Sequence, residues 1–360
     1  MIADTAVLTV DLDAIAANWA ALRARHGRGV AGVLKADAYG LGAPPVARRL
    51  AREGCRHFFV AHLFEALAVR DAAPGAAVAV LDGILPGEAP DFAEHGILPV
   101  LNDLGQLDAW RAEAARRGRR LPAILHVDTG MNRLGLPPSE VAALAADPAR
   151  LDRVDLRYVM THLVAAEVPD DPANERQRAA FATARAQLPA APVSFANSSG
   201  IFLGAAFASD LARPGAALYG INPTPGHPNP MRQAVRLDGR VLQVRDIGPG
   251  ASVGYNGTWT ATRPSRIATV AVGYADGYLR GLTNRGTARL AGRPISMAGR
   301  VSMDLTTFDI TDLPQVGPGD MLTLIGDGQT PDDLATLAGT NGYEILTSLG
   351  QRYARRYLGA

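Results

Sequence analysis

Short, mostly apolar runs alternate with helical patterns through the first two-thirds of the chain. Val30–Leu34, Phe58–Ala61, Ala77–Leu81, Ile97–Leu101, Ala123–Val127, Leu156–Met160 and Val193–Ala196 each read as a buried strand. Helix signals lie between them. Asp11 supplies a capping carboxylate for a helix whose Leu12, Ile15, Trp19 and Leu22 share one face. Val46–Glu53 is a second helix, closed by Gly54. Asp103–Arg117 is a third, with Leu104, Leu107 and Trp110 as its apolar stripe and Gly118 past its end. Strand-then-helix repetition predicts parallel strands with crossover helices, and a closed (β/α)8 TIM barrel fits the count better than an open sheet.

The pattern breaks at Pro223–Pro230, whose four prolines exclude regular structure and mark a linker. Beyond it, Val241–Val244, Arg266–Val272, Thr287–Leu290, Ile295–Met297, Thr306–Ile310 and Met321–Ile325 are short runs separated by Gly, Pro and Asp turns. They predict a mostly antiparallel β domain, interrupted by one helix at Pro331–Ala338. The expected organisation is an N-terminal strand at residues 1–10 joining the second domain, a barrel over 11–225 and a β domain over 226–360.

Composition narrows the function. Of 360 residues 48% are apolar and 20% charged, the balance of a globular protein, and the length suits two domains. A formal net charge of +1 gives no reason to expect a nucleic-acid or membrane partner. The basic clusters Arg111–Arg120 and Arg352–Arg356 read as solvated helix faces. The single cysteine, Cys55, excludes an internal disulfide or a cysteine metal site and reads as a packing residue. The segment Met1–Val10 carries Asp4 and no apolar core, so a cytoplasmic protein is expected. The seven histidines have no metal-ligand spacing, and no metal is expected. Asp128-Thr129-Gly130 has the letters of an aspartic-protease triplet but no second copy, and the protease reading is set aside.

In a barrel, side chains following the strands gather at one rim. After the first strand comes Lys35, then Tyr39-Gly40. Later strands are followed by Asp128–Arg133, by Thr161-His162, by Asn197-Ser198-Ser199-Gly200 and by Arg213-Pro214-Gly215. A lysine ending an apolar strand is partly desolvated, which lowers its pKa and favours Schiff-base chemistry, although a surface lysine ending a strand would look the same. The Ser-Ser-Gly and Pro-Gly-Ala turns offer hydroxyls and backbone N–H groups suited to a phosphate. Together they point to a phosphate-bearing aldehyde, pyridoxal phosphate.

The segment Val33-Leu-Lys35-Ala-Asp-Ala-Tyr39-Gly-Leu-Gly42 resembles the cofactor-attachment segment of alanine racemases. The resemblance continues through Val127–Gly135, Met160–His162, Ala196–Gly200, Arg213–Gly220, Val253–Thr258, Val272–Tyr278, Gly299–Asp304 and Tyr343–Thr347, in the family's order and over nearly the whole chain. It implies a pyridoxal-phosphate enzyme interconverting L-alanine and D-alanine through an external aldimine, as a homodimer with shared active sites. Lys35 would form the internal aldimine and act as one acid/base, and Tyr255 of the partner subunit would be the other. Arg213 would face the pyridine nitrogen, and His162 would link Arg213 to Tyr255 by hydrogen bonds. Arg133 would meet the phenolic oxygen and the substrate carboxylate, with Met303 of the partner subunit beside it. Tyr39, Ser198, Gly215 and Tyr343 would hold the phosphate, with Asn197 among the cofactor-binding residues. Tyr274, Arg280, Arg300 and Glu167 would line the access channel.

The sequence departs from the family at three places. His126 stands where many members carry a carbamylated lysine, Ser302 where a cysteine is common, and Glu167 where an aspartate is frequent. Three related readings compete. A broad-specificity amino-acid racemase is disfavoured by the lack of an export signal and a cysteine pair. A decarboxylase of the same fold would use a cysteine from the partner. A non-enzymatic cofactor carrier would lack the second domain.

Overall fold

The computed structural model describes residues 4–360. Residues 1–3 of the expected N-terminal strand lie outside the described residues. The barrel strands run Gly29–Val30 continued by Gly32–Val33, then His57–Val60, Ala77–Val80, Leu98–Leu101, Leu121–His126, Val154–Met160, Val193–Ser194 and Leu211–Ala212. From Gly32–Val33 to Val193–Ser194 each pairs in parallel with the next, and Leu211–Ala212 pairs in parallel with Gly29–Val30. The seam between the last two strands is closed by the Arg213 N–H, which donates to the Ala196 carbonyl at 2.8 Å, and by the Ser194 hydroxyl, which donates to the Leu211 carbonyl at 2.7 Å. The ring therefore has the eight strands expected of a (β/α)8 barrel.

The strands read as continuous apolar runs because both their faces are buried. Ala31, Val33, Phe59, Ala79, Val100, Ile124, Met160 and Leu211 point inward and form a separate core inside the ring. Their neighbours Val30, Phe58, Val60, Val78, Val80 and Leu125 point outward against the helices. Asp11 caps the first helix, Leu12–His26, by accepting the Ala14 N–H at 2.9 Å, and Leu12, Ile15, Trp19 and Leu22 are all buried.

In the second domain the long strand Val235–Ile247 is shared by two groups of partners. Its first half pairs with Ala6–Asp11 and Met321–Ile325, its second half with Ser265–Val270, which pairs in turn with Thr306–Asp309. All of these pairings are antiparallel. Ala6–Asp11 also takes Ala354–Leu358 as a parallel neighbour. This corrects the reading of Arg352–Arg356 as a helix face, since most of that cluster lies in a strand. A further helix not expected from the sequence, Gly342–Thr347, follows Pro331–Ala338. The segment between Gly220 and Ala234 contains neither helix nor strand.

One local conformation was not foreseen. Immediately after Lys35 the chain makes a left-handed helical turn: Ala36, Asp37, Ala38 and Tyr39 have φ of 53°, 53°, 55° and 56°. The Ala38 N–H closes it on the Leu34 carbonyl at 2.8 Å. Ala36 is exposed, so its strain can be tested without disturbing packing. A β-branched residue is least tolerated at positive φ, whereas glycine relieves the clash. Ala36→Val should lower the free energy of unfolding by roughly 1–2 kcal/mol, and Ala36→Gly should leave it unchanged or raise it. Denaturant midpoints of the two variants check this; equal destabilisation would rule out strain at this turn.

Candidate active site

Lys35 emerges at the carboxyl end of the first barrel strand. Burial, and then the nearby Arg133 guanidinium, push its amine below the ordinary lysine value, with Asp82 and Glu65 pulling the other way. Glu65 also holds the backbone beside it. One carboxylate oxygen accepts the Ala36 N–H at 2.6 Å, and the other accepts the N–H groups of Ala61 and His62 at 2.8 and 3.1 Å.

Arg213 lies inside the barrel. Its guanidinium donates to the Ser194 hydroxyl at 2.5 Å and to the Thr161 carbonyl at 2.6 Å, and it sits 5.9 Å above the Phe59 ring. Burial alone brings its pKa down to about 10, so it remains a cation near neutrality. His162 was expected to accept from Arg213; in the structure the carbonyl of its neighbour Thr161 does so instead. The imidazole of His162 is driven down to about 3, first by burial and then by Arg213, Arg133, Lys35 and His126. It is therefore neutral.

A small polar cradle lies beside these groups. The Ser198 hydroxyl accepts the N–H groups of Gly215 and Ala217, at 3.1 and 3.3 Å, at the start of the short helix Ala216–Tyr219. A Cβ on Gly215 would collide with the Tyr39 hydroxyl, so this position needs glycine. The Tyr39 ring lies 4.9 Å from Tyr219 and 6.4 Å from Tyr343. Converging hydroxyls and backbone N–H groups at a helix start suit a phosphate, and the neighbouring amine suits an aldehyde. The donor set thus fits pyridoxal phosphate. Asn197 has a different task, accepting the Gly200 N–H at 2.9 Å and so shaping the loop. Glu167 and Tyr343, expected in separate roles, are partners: the Tyr343 hydroxyl donates to Glu167 at 2.5 Å.

The Asp128 carboxylate accepts the N–H groups of Gly130, Met131 and Asn132, which makes the protease-like triplet a turn. That turn leads to Arg133, which is exposed and has no protein hydrogen-bond partner among the described residues. His126 is buried next to it and hydrogen-bonded to Asn102. Asn102 was missed by the sequence reading, although it directly follows a barrel strand, the position that singled out Lys35.

Tyr255, Tyr274, Arg280 and Arg300 gather elsewhere. With Val301 they line a cavity of ≈ 500 Å³ formed entirely by the second domain. Tyr255 is 70% exposed and Met303 is 55% exposed. Gly273 lets the backbones of these segments approach closely, since a Cβ there would meet the Ser302 and Met303 carbonyls. The expected site residues thus form two groups, one at the barrel mouth and one on the surface of the second domain. A second cavity, of ≈ 560 Å³, opens at the opposite end of the barrel around His57, Phe59, Ile124 and Tyr158. It contains none of the predicted site residues. Among the described residues there is no metal-binding cluster, and no helix is long and apolar enough to cross a membrane.

Comparison with known proteins gives a consistent result. The family model for the alanine racemase N-terminal domain matches residues 10–223, and that for the alanine racemase C-terminal domain matches residues 234–357. An alanine racemase of Acidiphilium cryptum is 58% identical over 348 residues, covering 97% of each chain. A catabolic alanine racemase of Mesorhizobium japonicum is 52% identical, covering 98% of this chain and 93% of its own. The crystal structure of alanine racemase from Bartonella henselae with covalently bound pyridoxal phosphate superposes with a TM-score of 0.96 at 41% identity, covering 99% of this chain and all of its own.

The neutral histidines make stability depend on pH. His162 and His126 have folded-state pKa values of about 3 and about 4, below the ordinary 6.5. Between those limits the unfolded chain binds protons that the native protein does not, so stability is full above pH 6.5 and falls as pH drops. Each group contributes a slope of up to about 1.4 kcal/mol per pH unit. Urea midpoints between neutrality and pH 5 should therefore fall less steeply in His126→Gln than in the wild type. Parallel curves would mean that His126 charges freely in the folded protein.

Proposed function

The chain belongs to the alanine racemase family, and from that membership we propose that it interconverts L-alanine and D-alanine on pyridoxal phosphate as a cytoplasmic homodimer, with Lys35 as one acid/base and Tyr255 of the partner subunit as the other. The observation that carries this reading is the division of the site: Lys35, Arg213 and the phosphate cradle converge at the barrel mouth, while Tyr255 stands exposed on the second domain. When bound, pyridoxal phosphate supplies a conjugated ring that takes up the electron pair left at the substrate Cα.

The protein's own groups do the rest. Ser198, Gly215 and Tyr39 would hold the phosphate, and Tyr343 would join them by releasing Glu167. Arg213 would face the pyridine nitrogen. A guanidinium has donors and no acceptor, so it leaves that nitrogen without a firmly held proton and restrains side reactions such as transamination. Arg133, free of any protein ion pair, would bind the alanine carboxylate, with Met303 of the partner subunit alongside. Racemisation needs a Cα proton removed on one face and another delivered on the opposite face. The Lys35 amine, lowered by burial, is better able to accept a proton near neutrality than an ordinary lysine. The Tyr255 hydroxyl of the partner subunit would serve the other face. Covering each barrel mouth with the other copy's second domain also excludes water.

Incubation with L-alanine in deuterated water should yield D-alanine carrying deuterium at Cα. Carbon dioxide release would indicate a decarboxylase, and an unexchanged Cα a carrier. Borohydride reduction followed by peptide mapping should find the pyridoxyl group on Lys35.

The shared site predicts complementation. Lys35→Ala and Tyr255→Phe homodimers should both be nearly inactive. After subunit exchange, each heterodimer has one site with both bases and one with neither, so activity should return to about half that of the wild type per heterodimer, or about a quarter for an equimolar mixture in which half of the dimers are heterodimers. No recovery despite demonstrated exchange would place both bases on one chain.

A further inference from the structure

Gln177 is buried on the helix Pro172–Arg185, and both polar atoms of its side-chain amide are engaged. The oxygen accepts the Val164 N–H at 2.9 Å. The nitrogen donates to the His162 carbonyl at 2.9 Å and to the Thr129 hydroxyl at 3.1 Å. A backbone N–H only donates and a carbonyl only accepts, so the amide has one orientation. Thr129 must therefore accept from it, which leaves the Thr129 proton for the Thr161 hydroxyl oxygen, 2.8 Å away. Three segments thus meet at one side chain. Thr129 belongs to the turn that Asp128 closes and that leads to Arg133. Among the described residues, the other hydrogen bonds of residues 128–133 stay within residues 128–136, so Thr129 is the turn's hydrogen-bonded tie to the neighbouring loop. In that loop the Thr161 carbonyl receives the Arg213 guanidinium at 2.6 Å, and the next carbonyl, that of His162, receives Gln177. Asn174, three residues earlier on the same helix, holds the carbonyls of Val168 and Pro169 at 3.0 and 3.3 Å, so the rest of the loop is secured separately.

We propose that Gln177 is a positioning residue: it locks the turn that ends at Arg133 to the Thr161-His162 segment that holds Arg213, so that the two arginines keep one spacing. The inference rests on the roles proposed above for Arg133 and Arg213. Gln177 acts through the backbone and through Thr129, without a hydrogen bond to either guanidinium. The residue type suits this task. An amide donates and accepts at once, which a carbonyl and an N–H as joint partners require. It also brings no charge to a rim that holds two arginines. A glutamate would set oxygen against the His162 carbonyl and offset the positive charge that a carboxylate substrate needs. A methionine would fill much the same space and leave a buried N–H, a carbonyl and a hydroxyl without their partner.

The test compares wild-type holoenzyme with Gln177→Met, Thr129→Val and the double variant. Amide hydrogen exchange reads the coupling without turnover. In Gln177→Met, protection should fall at Val164 and also across Gly130–Asn132, whose amides Gln177 does not touch. Thr129→Val should loosen the same turn while Val164 stays protected. Unchanged protection of the turn in both variants would overturn the proposal. Thr129→Val is a near-isosteric change at a half-buried side chain, so it decides the matter even where Gln177→Met fails to fold. Calorimetry with propionate, which has the substrate's carboxylate and lacks its amine, supplies the second arm. Its dissociation constant should rise about tenfold in each single variant, the loss of one or two hydrogen bonds felt at Arg133. Both changes break one link, so the double variant should bind within about twofold of Gln177→Met. The KM for L-alanine should follow the same pattern, with a smaller change in kcat. Undiminished propionate affinity, or losses that multiply in the double variant, would reduce Gln177 to a structural residue. A wild type that binds propionate yet fails to racemise alanine would defeat the proposed function and leave the exchange and binding results decisive for Gln177. A wild type that does not bind propionate would remove the role of Arg133 and this inference with it.

Discussion

The lysine at the centre of this site is followed by four residues in a conformation that L-amino acids avoid, and the surrounding structure is arranged to hold them there. A left-handed turn costs roughly 1–2 kcal/mol per residue, so the segment Ala36–Tyr39 carries about 4–8 kcal/mol of strain. Local contacts repay part of it. The Asp37 carboxylate accepts the Ala43 N–H at 2.7 Å, the Asp37 carbonyl accepts the Gly42 N–H at 2.8 Å, and Glu65 holds Ala36. The remainder comes from the second domain. Arg355 donates to the Gly40 carbonyl at 2.7 Å, the Tyr357 hydroxyl donates to the Leu41 carbonyl at 3.0 Å, and Gly40 lies so close to the Leu346 carbonyl that no side chain would fit. A strained segment persists when its surroundings over-determine it, and here two domains do so together.

This bracing gives a physical reason for the chain's path. Ala6–Asp11 lies between Val235–Ile247 and Ala354–Leu358 in the second sheet, and its last residue caps the first barrel helix. The second domain is thereby tied to the barrel at both the beginning and the end of the chain. Ala354–Leu358 carries Arg355 and Tyr357, two of the groups that grip the segment beyond Lys35. Pairing this strand with Ala6–Asp11 is what delivers them there. The second domain therefore shapes its own chain's barrel mouth with one set of residues while presenting Tyr255 and Tyr274 outward with another.

The barrel was legible because its strands are apolar on both faces and its polar rim residues follow them directly. The same rule exposed Lys35, Ser198 and Arg213. What escaped the reading depends on contacts distant in sequence. Ala-Asp-Ala-Tyr contains no glycine, so nothing local marks a left-handed turn; of the groups that hold it, Arg355 and Tyr357 lie more than three hundred positions away. Arg352–Arg356 looked like a solvated helix face because arginines are common there, whereas Arg355 uses its guanidinium on the carbonyls of Gly40 and Gly350. The partnership of Glu167 with Tyr343 likewise joins a barrel loop to a helix of the second domain. Asn102 and Asp82, which directly follow predicted barrel strands, are omissions that the rim rule itself could have supplied.

Arg213 shows how a single buried charge sets the chemistry around it. Placing a guanidinium inside an apolar ring is unfavourable unless its donors are satisfied, and Ser194 and Thr161 lie at the strand ends where they can do this. No carboxylate is hydrogen-bonded to it, so its charge is not cancelled within the barrel. The consequence reaches both neighbouring histidines, whose protonation it opposes. The barrel therefore holds a fixed cation at Arg213, with Arg133 exposed at the rim, and two imidazoles that burial and both charges keep neutral. Such a field favours an anionic guest with distributed charge, and Arg133, after burial, weakens the hold of Lys35 on its proton. A carboxylate placed at residue 213 would reverse the effect on the histidines, favouring their protonation, and would repel an anionic guest.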